Sequence, residues 1–254
     1  MRVLGHRGAR LDAPENTLAA FRAALVQGAD GVELDVRRSA DGVLVCLHDA
    51  DLERTTDAEG PVGRRTVAEL RDVDAGSRFE RDGTFPFRAT GVCVPTLAEA
   101  LDAVPPPGLV DIEVKAGGGR GHHLGHEEDL LAGTLGAELA GRPDTSRLLV
   151  STFSRRLAGL LVPAVAPVPV ALVTTTLVPL GRALRAARAV GCTALAAQAP
   201  AYLAPGARAA AARAVAEGIT LLAWTVDDRG LARRLEGLGV SVLISDRPGA
   251  LRAG

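Results

Sequence analysis

The chain has 254 residues, is 47% hydrophobic and carries a formal net charge of -1. That balance leaves no electrostatic footprint for nucleic acid or for an anionic membrane surface, and no run is long and apolar enough to span a bilayer. The scattered thiols Cys46, Cys93 and Cys192 build neither a disulfide framework nor a zinc cluster; with no secretory leader before the first strand, they read as reduced cysteines of a cytoplasmic protein.

The first predicted strand is Arg2–Gly5, closed by His6-Arg7-Gly8. Pro14-Glu15-Asn16-Thr17 then supplies a cap, Leu18, Phe21 and Leu25 follow at helical spacing, and Gly28 ends the helix. The second strand, Gly31–Val36, runs into a hairpin in which Asp41-Gly42 turns Val36–Ser39 back into Val43–Leu47. A polar stretch rich in glycine and arginine follows, and residues 50–92 read as an insertion over the mouth of the fold, where loops carry function.

Beyond the insertion the rhythm is regular. Strands are predicted at Leu109–Lys115, Leu148–Phe153, Val168–Thr174, Thr193–Ala197, Thr220–Val226 and Val240–Ser245. Helices are predicted at Thr96–Val104, Glu127–Ala140, Ser154–Leu161, Leu180–Val190, Gly206–Glu217 and Arg229–Leu238. Strands that alternate with helices pair in parallel, and about 250 residues is the usual length of a (β/α)8 TIM-type barrel. The expectation is therefore a single domain, 1–254, of this kind. An open doubly wound sheet is the alternative, but no Gly-x-Gly-x-x-Gly turn follows the first strand.

Residues two apart in a strand face the same way. Glu33 and Asp35 therefore share a face, as do Glu113 and Lys115, while the aliphatic residues between them face the helices. Both pairs fall at the C-terminal ends of their strands, where barrel active sites lie. Carboxylates Glu33, Asp35 and Glu113 converging there would resist ionisation without a positive charge among them. A hard divalent cation with oxygen ligands, Mg²⁺ or Ca²⁺, resolves that conflict. Lys115 is the only lysine, an amine that the abundant arginines do not replace. His6 and His48, each at a strand end beside the acidic cluster, suit a general acid–base pair. Arg7 offers a planar fork for a phosphate oxygen, and Gly8 lets the chain turn sharply.

These motifs resemble the glycerophosphodiester phosphodiesterase family. Gly5-His6-Arg7-Gly8, Ala13-Pro14-Glu15-Asn16-Thr17, Glu33-Leu34-Asp35-Val36 and His48-Asp49 open the match. Leu52-Glu53-Arg54-Thr55-Thr56, Val94-Pro95-Thr96-Leu97, Ile112-Glu113-Val114-Lys115, Trp224-Thr225-Val226 and Ile244-Ser245-Asp246-Arg247-Pro248 continue it in order. The resemblance implies a TIM-type barrel holding one divalent cation on Glu33, Asp35 and Glu113, with His6 and His48 as catalytic acid and base. It further implies phosphate contacts from Arg7 and Lys115, with Trp224 lining the pocket. The implied substrate is a small glycerophosphodiester, cleaved to an alcohol and glycerol 3-phosphate directly or through a cyclic phosphate. His6 as base and His48 as acid is the preferred assignment, although the residues alone hardly separate the two.

Departures from the pattern are local. Ala116–His126 holds His122, His123 and His126; the i,i+4 spacing of His122 and His126 allows a second metal site or a substrate contact, and a polar loop is the simpler reading. Asp227 stands where the family more often has asparagine, a change in polarity close to the substrate. Three rival functions use the same residues. One is a Schiff-base lyase on Lys115, which leaves the carboxylates and histidines idle. Another is a barrel that binds phosphate ligands without turnover. The third is a lysophospholipase D-like enzyme, for which the inserted stretch is too polar an entrance. Monomer and homodimer both remain open, since no exposed apolar stripe argues for an interface.

Overall fold

The computed structural model describes residues 1–117 and 124–252. Its elements in chain order are β1 (Arg2–His6), α1 (Leu18–Val26), β2 (Gly31–Arg38), β3 (Leu44–Cys46), α2 (Val67–Arg71), α3 (Leu97–Ala103), β4 (Leu109–Val114), α4 (Leu124–Ala140), β5 (Leu148–Thr152) and α5 (Arg155–Ala164). They continue with β6 (Val170–Thr174), α6 (Leu180–Ala189), β7 (Ala194–Gln198), α7 (Ala207–Ala216), β8 (Thr220–Trp224), α8 (Arg229–Glu236), β9 (Val242–Ser245) and α9 (Pro248–Arg252).

Every strand except β3 is parallel to its neighbours, in the order β1-β9-β8-β7-β6-β5-β4-β2, and the pairing of β1 with β2 closes the ring. The fold is an eight-stranded TIM barrel. β3 lies outside that ring as the antiparallel arm of the hairpin, pairing Val36 with Cys46 and Arg38 with Leu44. The rapid succession of strand and helix has local causes: the side chains of Thr17, Thr66, Thr96, Ser154 and Asp228 each accept a backbone N–H in the first turn of the helix they cap. At Thr66 and Thr96 the glutamate three residues on completes a capping box.

Several strand ends differ from the sequence pattern. β1 runs one residue further because His6 pairs in register with Glu33. β6 begins only at Val170, since Pro167 and Pro169 lack the N–H a ladder needs. β4 stops at Val114, so Lys115 leads the loop, and β8 stops at Trp224.

The core has two concentric layers. Leu34, Val36, Ile112 and Val114 point outward and pack with Phe21, Leu97, Leu101, Leu131 and Leu135 of the helices. Inside the ring, Leu4, Ala171, Val173, Ala196, Leu222 and Ile244 form a separate cluster. The inner layer is lopsided: β6 to β9 contribute mainly small or aliphatic groups, with Trp224 at the end of β8, whereas β2 and β4 contribute Glu33, Asp35, Asp111 and Glu113, all buried. A third cluster of Leu47, Leu52, Val62, Leu70 and Val94 gives the segment after the hairpin its own support. Among the described residues, no helix is long and apolar enough to cross a membrane.

Candidate active site

The site begins where β1 ends. Arg7 (φ 56°) and Gly8 (φ 82°) both adopt left-handed backbone, and the Gly8 amide donates back to the Gly5 carbonyl at 3.1 Å. A Cβ on Gly8 would sit 2.5 Å from the backbone of Ala20, so the turn is tight because only glycine fits against α1. Gly8→Ala is expected to cost about 2–5 kcal/mol, read as a lowered melting temperature, and to reduce activity at temperatures where the variant stays folded because Arg7 is displaced.

Arg7 faces the acidic wall. Its backbone N–H donates to Glu33 Oε2 at 2.9 Å, its Nη1 donates to Glu15 Oε1 at 2.8 Å, and its Nε stands 3.1 Å from Asp35 Oδ2. Asp35 is fully buried and held at both ends by Asn16, whose Nδ2 donates to Oδ2 at 2.8 Å and whose Oδ1 accepts from the Asp35 N–H at 3.1 Å. Burial opposes its ionisation, but Lys115 and Arg7 outweigh that and hold its pKa below the usual carboxylate range. Glu33 moves the other way, raised well above its ordinary value by burial and by neighbouring Asp35, Glu113 and Asp111. Glu113 is pushed up to about 7 by burial and Asp35, against the pull of Lys115.

One oxygen from each of Glu33, Asp35 and Glu113 lies within 4.8 Å of the others. Glu33 Oε1 is buried and accepts no hydrogen bond among the described residues, and Asp35 Oδ1 faces the Lys115 ammonium. Carboxylate oxygens converging on one point are the donor set a hard divalent cation takes, so the residues fit such an ion. Lys115 supplies the positive charge now among them. Its Nζ donates to Glu113 and stands 3.0 Å from Asp35 Oδ1, and these carboxylates overcome burial to hold its pKa above the ordinary lysine value.

Both histidines are held through Nδ1. His6 Nδ1 pairs with Asp246 Oδ1 at 2.6 Å, joining β1 to the loop after β9 across 240 residues of sequence. His48 Nδ1 pairs with Asp49 Oδ1 at 2.7 Å. Despite partial burial, His6 and Arg10 keep Asp246 ionised, and Arg54 and His48 do the same for Asp49. An ionised carboxylate only accepts, so each Nδ1 carries a proton and each Nε2 is left for other chemistry. Burial lowers the pKa of His48, with Lys115 and Arg7 adding to the effect against Asp35.

His6, Arg7, Glu33, His48, Glu113, Lys115 and Trp224 line one cavity of about 120 Å³; Asp35 lies buried behind it. Trp224 stacks edge-on against Phe153 with centroids 5.6 Å apart, and its buried Nε1 has no partner among the described residues. The opposite wall is Val173, Ala196 and Ile244.

Several lining or supporting residues carry no distinct sequence signal. Asp111, two residues before Glu113, also points inward; it is 1% exposed, and burial pushes it up to about 7 against the pull of Ser151. Strand parity places it on that face but says nothing of its depth. Asp246 and Asn16 emerge only from contacts between elements. Asp227 braces the backbone: its Oδ1 accepts from Ser245 Oγ and from the N–H groups of Asp246 and Arg247 at 2.8, 2.8 and 3.2 Å, which fixes the turn carrying Asp246. His126 is exposed on the first turn of α4. His122 and His123 lie outside the described residues.

The Glycerophosphoryl diester phosphodiesterase family matches residues 6–250. A probable glycerophosphodiester phosphodiesterase 1 of Mycobacterium tuberculosis is 32% identical over 258 aligned residues, covering 99% of this chain and 91% of that one. A glycerophosphodiester phosphodiesterase of Caldanaerobacter subterraneus is 42% identical over 116 residues, 45% of each chain. Among solved structures, an Oleispira antarctica phosphodiesterase in complex with the product sn-glycerol-3-phosphate superposes with a TM-score of 0.83 at 27% identity, covering 99% of this chain and 95% of that one.

Proposed function

Because the chain belongs to the glycerophosphoryl diester phosphodiesterase family, we propose that its cavity hydrolyses glycerophosphodiesters to an alcohol and glycerol 3-phosphate with a divalent cation and two histidines. The observation that carries this reading is a cluster of three carboxylates, two of them lining one small cavity together with two histidines, each histidine held at Nδ1 by its own aspartate.

A divalent cation on Glu33, Asp35 and Glu113, Mg²⁺ or Ca²⁺ by the oxygen-only donor set, would draw charge from the phosphodiester oxygens. Arg7 and Lys115 add fixed positive charge at the same wall, where developing negative charge on phosphorus-bound oxygen is stabilised without reorganisation. Nε2 of His6 accepts the proton of the attacking hydroxyl as its oxygen bonds to phosphorus. The phosphorus–oxygen bond to the alcohol breaks, and His48 Nε2 delivers the proton that the alkoxide takes up. Docking the anionic diester offsets the burial that lowers His48 and favours its protonated form. The unpartnered Trp224 Nε1 is a donor for a glycerol oxygen. Arg54 extends the arrangement into the inserted segment: it binds Glu15 through both Nη groups and Asp49 through Nε, keeping the partner of His48 in place.

Lys115, held charged between Asp35 and Glu113, is poorly suited to a Schiff base, which needs the neutral amine. One observation favours lipid diesters as a second reading: Phe153, Leu177 and Leu203, following β5, β6 and β7, are exposed at 42%, 89% and 43% on the end of the barrel that bears the cavity. A panel of glycerophosphocholine, glycerophosphoethanolamine and lysophosphatidylcholine separates the two. Release of glycerol 3-phosphate from the first pair, abolished by chelator and restored by Mg²⁺ or Ca²⁺, is the expected result; cleavage of lysophosphatidylcholine alone would favour the lipid reading.

A further inference from the structure

A second cavity, of about 160 Å³, opens between the β1–α1 loop and the inserted segment. Arg10, Arg54 and Arg78 line it, Leu11 and Phe79 give it an apolar side, and Glu15 is its one lining carboxylate. Glu15 is already saturated: it accepts from Arg7 at 2.8 Å and from Arg54 at 2.7 and 3.0 Å. The other two arginines keep free donors. Arg78 uses Nε on the Thr56 carbonyl at 3.1 Å, and neither of its Nη groups has a partner among the described residues. Arg10 comes no closer than 3.7 Å to Asp246 and 3.9 Å to Glu15, beyond hydrogen-bonding reach.

Surplus guanidinium forks facing a cavity suit an oxyanion with several acceptor oxygens, phosphate above all. The cavity also adjoins the catalytic one. Glu15 lines the second and binds Arg7 of the first, and Asp246 holds His6 of the first while facing Arg10 of the second. An alcohol group leaving phosphorus beside the histidines therefore has a cationic compartment within reach.

We propose that this cavity is an anion subsite for a second phosphate carried by the departing alcohol. The preferred substrates are then glycerophosphodiesters with a doubly anionic headgroup rather than a zwitterionic one. The apolar side formed by Leu11 and Phe79 receives the carbon linker between the two phosphates. The proposal rests on the catalytic reading above and narrows its substrate class.

The test compares kcat/KM on a glycerophosphodiester whose alcohol is glycerol phosphate with kcat/KM on glycerophosphocholine, in the wild type, Arg78→Gln and Arg78→Lys. A charge-assisted fork contributes about tenfold or more, so the wild type should prefer the doubly anionic diester. Arg78→Gln should lower the ratio of the two kcat/KM values by about tenfold, and Arg78→Lys by less, since a point charge replaces the fork. The preference should also weaken as salt is raised. Arg78 is exposed, and equal melting temperatures verify that the variants are folded. Turnover of both substrates with a ratio that Arg78→Gln leaves unmoved overturns the subsite while the catalytic reading stands. Turnover of neither, with Mg²⁺ or Ca²⁺ present, overturns both.

Discussion

His6→Ala and His48→Ala are each expected to lower kcat on glycerophosphodiesters by about 10²–10⁴-fold, the usual contribution of a positioned acid or base. Cation binding should be little changed, because neither ring belongs to the carboxylate cluster. In the proposed mechanism the two rings serve one transition state, so the double variant should lose far less than the product of the single losses. Asp246→Asn probes how His6 is held. An amide can turn its NH₂ toward Nδ1 and move the ring proton to Nε2, which removes the base. That variant should lose kcat by about 10²-fold with KM little changed, whereas a purely structural role for Asp246 would lower the melting temperature and leave kcat per folded molecule intact. A His48→Ala enzyme with a near wild-type rate would sink the two-histidine mechanism.

Glu33→Gln and Glu113→Gln should weaken cation binding and reduce turnover together, by about 10²–10³-fold in kcat. Stability should respond in the opposite sense. Without a cation, the fold holds Glu33, Asp35, Asp111 and Glu113 buried side by side, with Arg7 and Lys115 as the only cations at that wall of the cavity among the described residues. At Glu113 burial and Asp35 outweigh the hydrogen bond from Lys115, a net penalty of about 1–3 kcal/mol. In chelator, therefore, Glu113→Gln should melt about 2–12 °C above the wild type, at the 2–4 °C per kcal/mol typical of a domain this size. The pH dependence follows from the same repulsion. Burial and Asp35 raise Glu113 from 4.5 to about 7, so between those values the folded state keeps a proton that the unfolded chain has lost. Stability in chelator should consequently fall as pH rises through that window, and Mg²⁺ or Ca²⁺ should remove the decline. Thermal melts at several pH values, with and without cation, measure both effects. A wild type insensitive to chelator and more stable than Glu113→Gln would count against the cation site.

The period-two alternation of Glu33-Leu34-Asp35-Val36 is sufficient to say which side chains turn inward, because strands covered by helices must send their aliphatic residues outward. The same parity applies to Asp111, yet parity carries no information on height within the barrel, and only the strand register sets Asp111 beside Glu33. Proline explains the late start of β6: Pro167 and Pro169 interrupt a stretch whose Val165, Val168 and Val170 would otherwise read as strand. What lies beyond the reach of pattern is every contact between distant elements. The grip of Asn16 on Asp35, of Asp227 on the turn at Ser245, and of Arg54 on Glu15 and Asp49 each depends on how loops meet above the barrel, which hydrophobic patterning does not encode.

The link between His6 and Asp246 has a consequence for biosynthesis. His6 is made 240 residues before its partner, and β9 is also the strand that completes the ring between β8 and β1. A ribosome-bound chain that has not yet released β9 has an open sheet and an unsupported His6. Nascent chains arrested before Val242 should therefore be inert toward diesters, and activity should arrive in a single step once the final strand clears the exit tunnel.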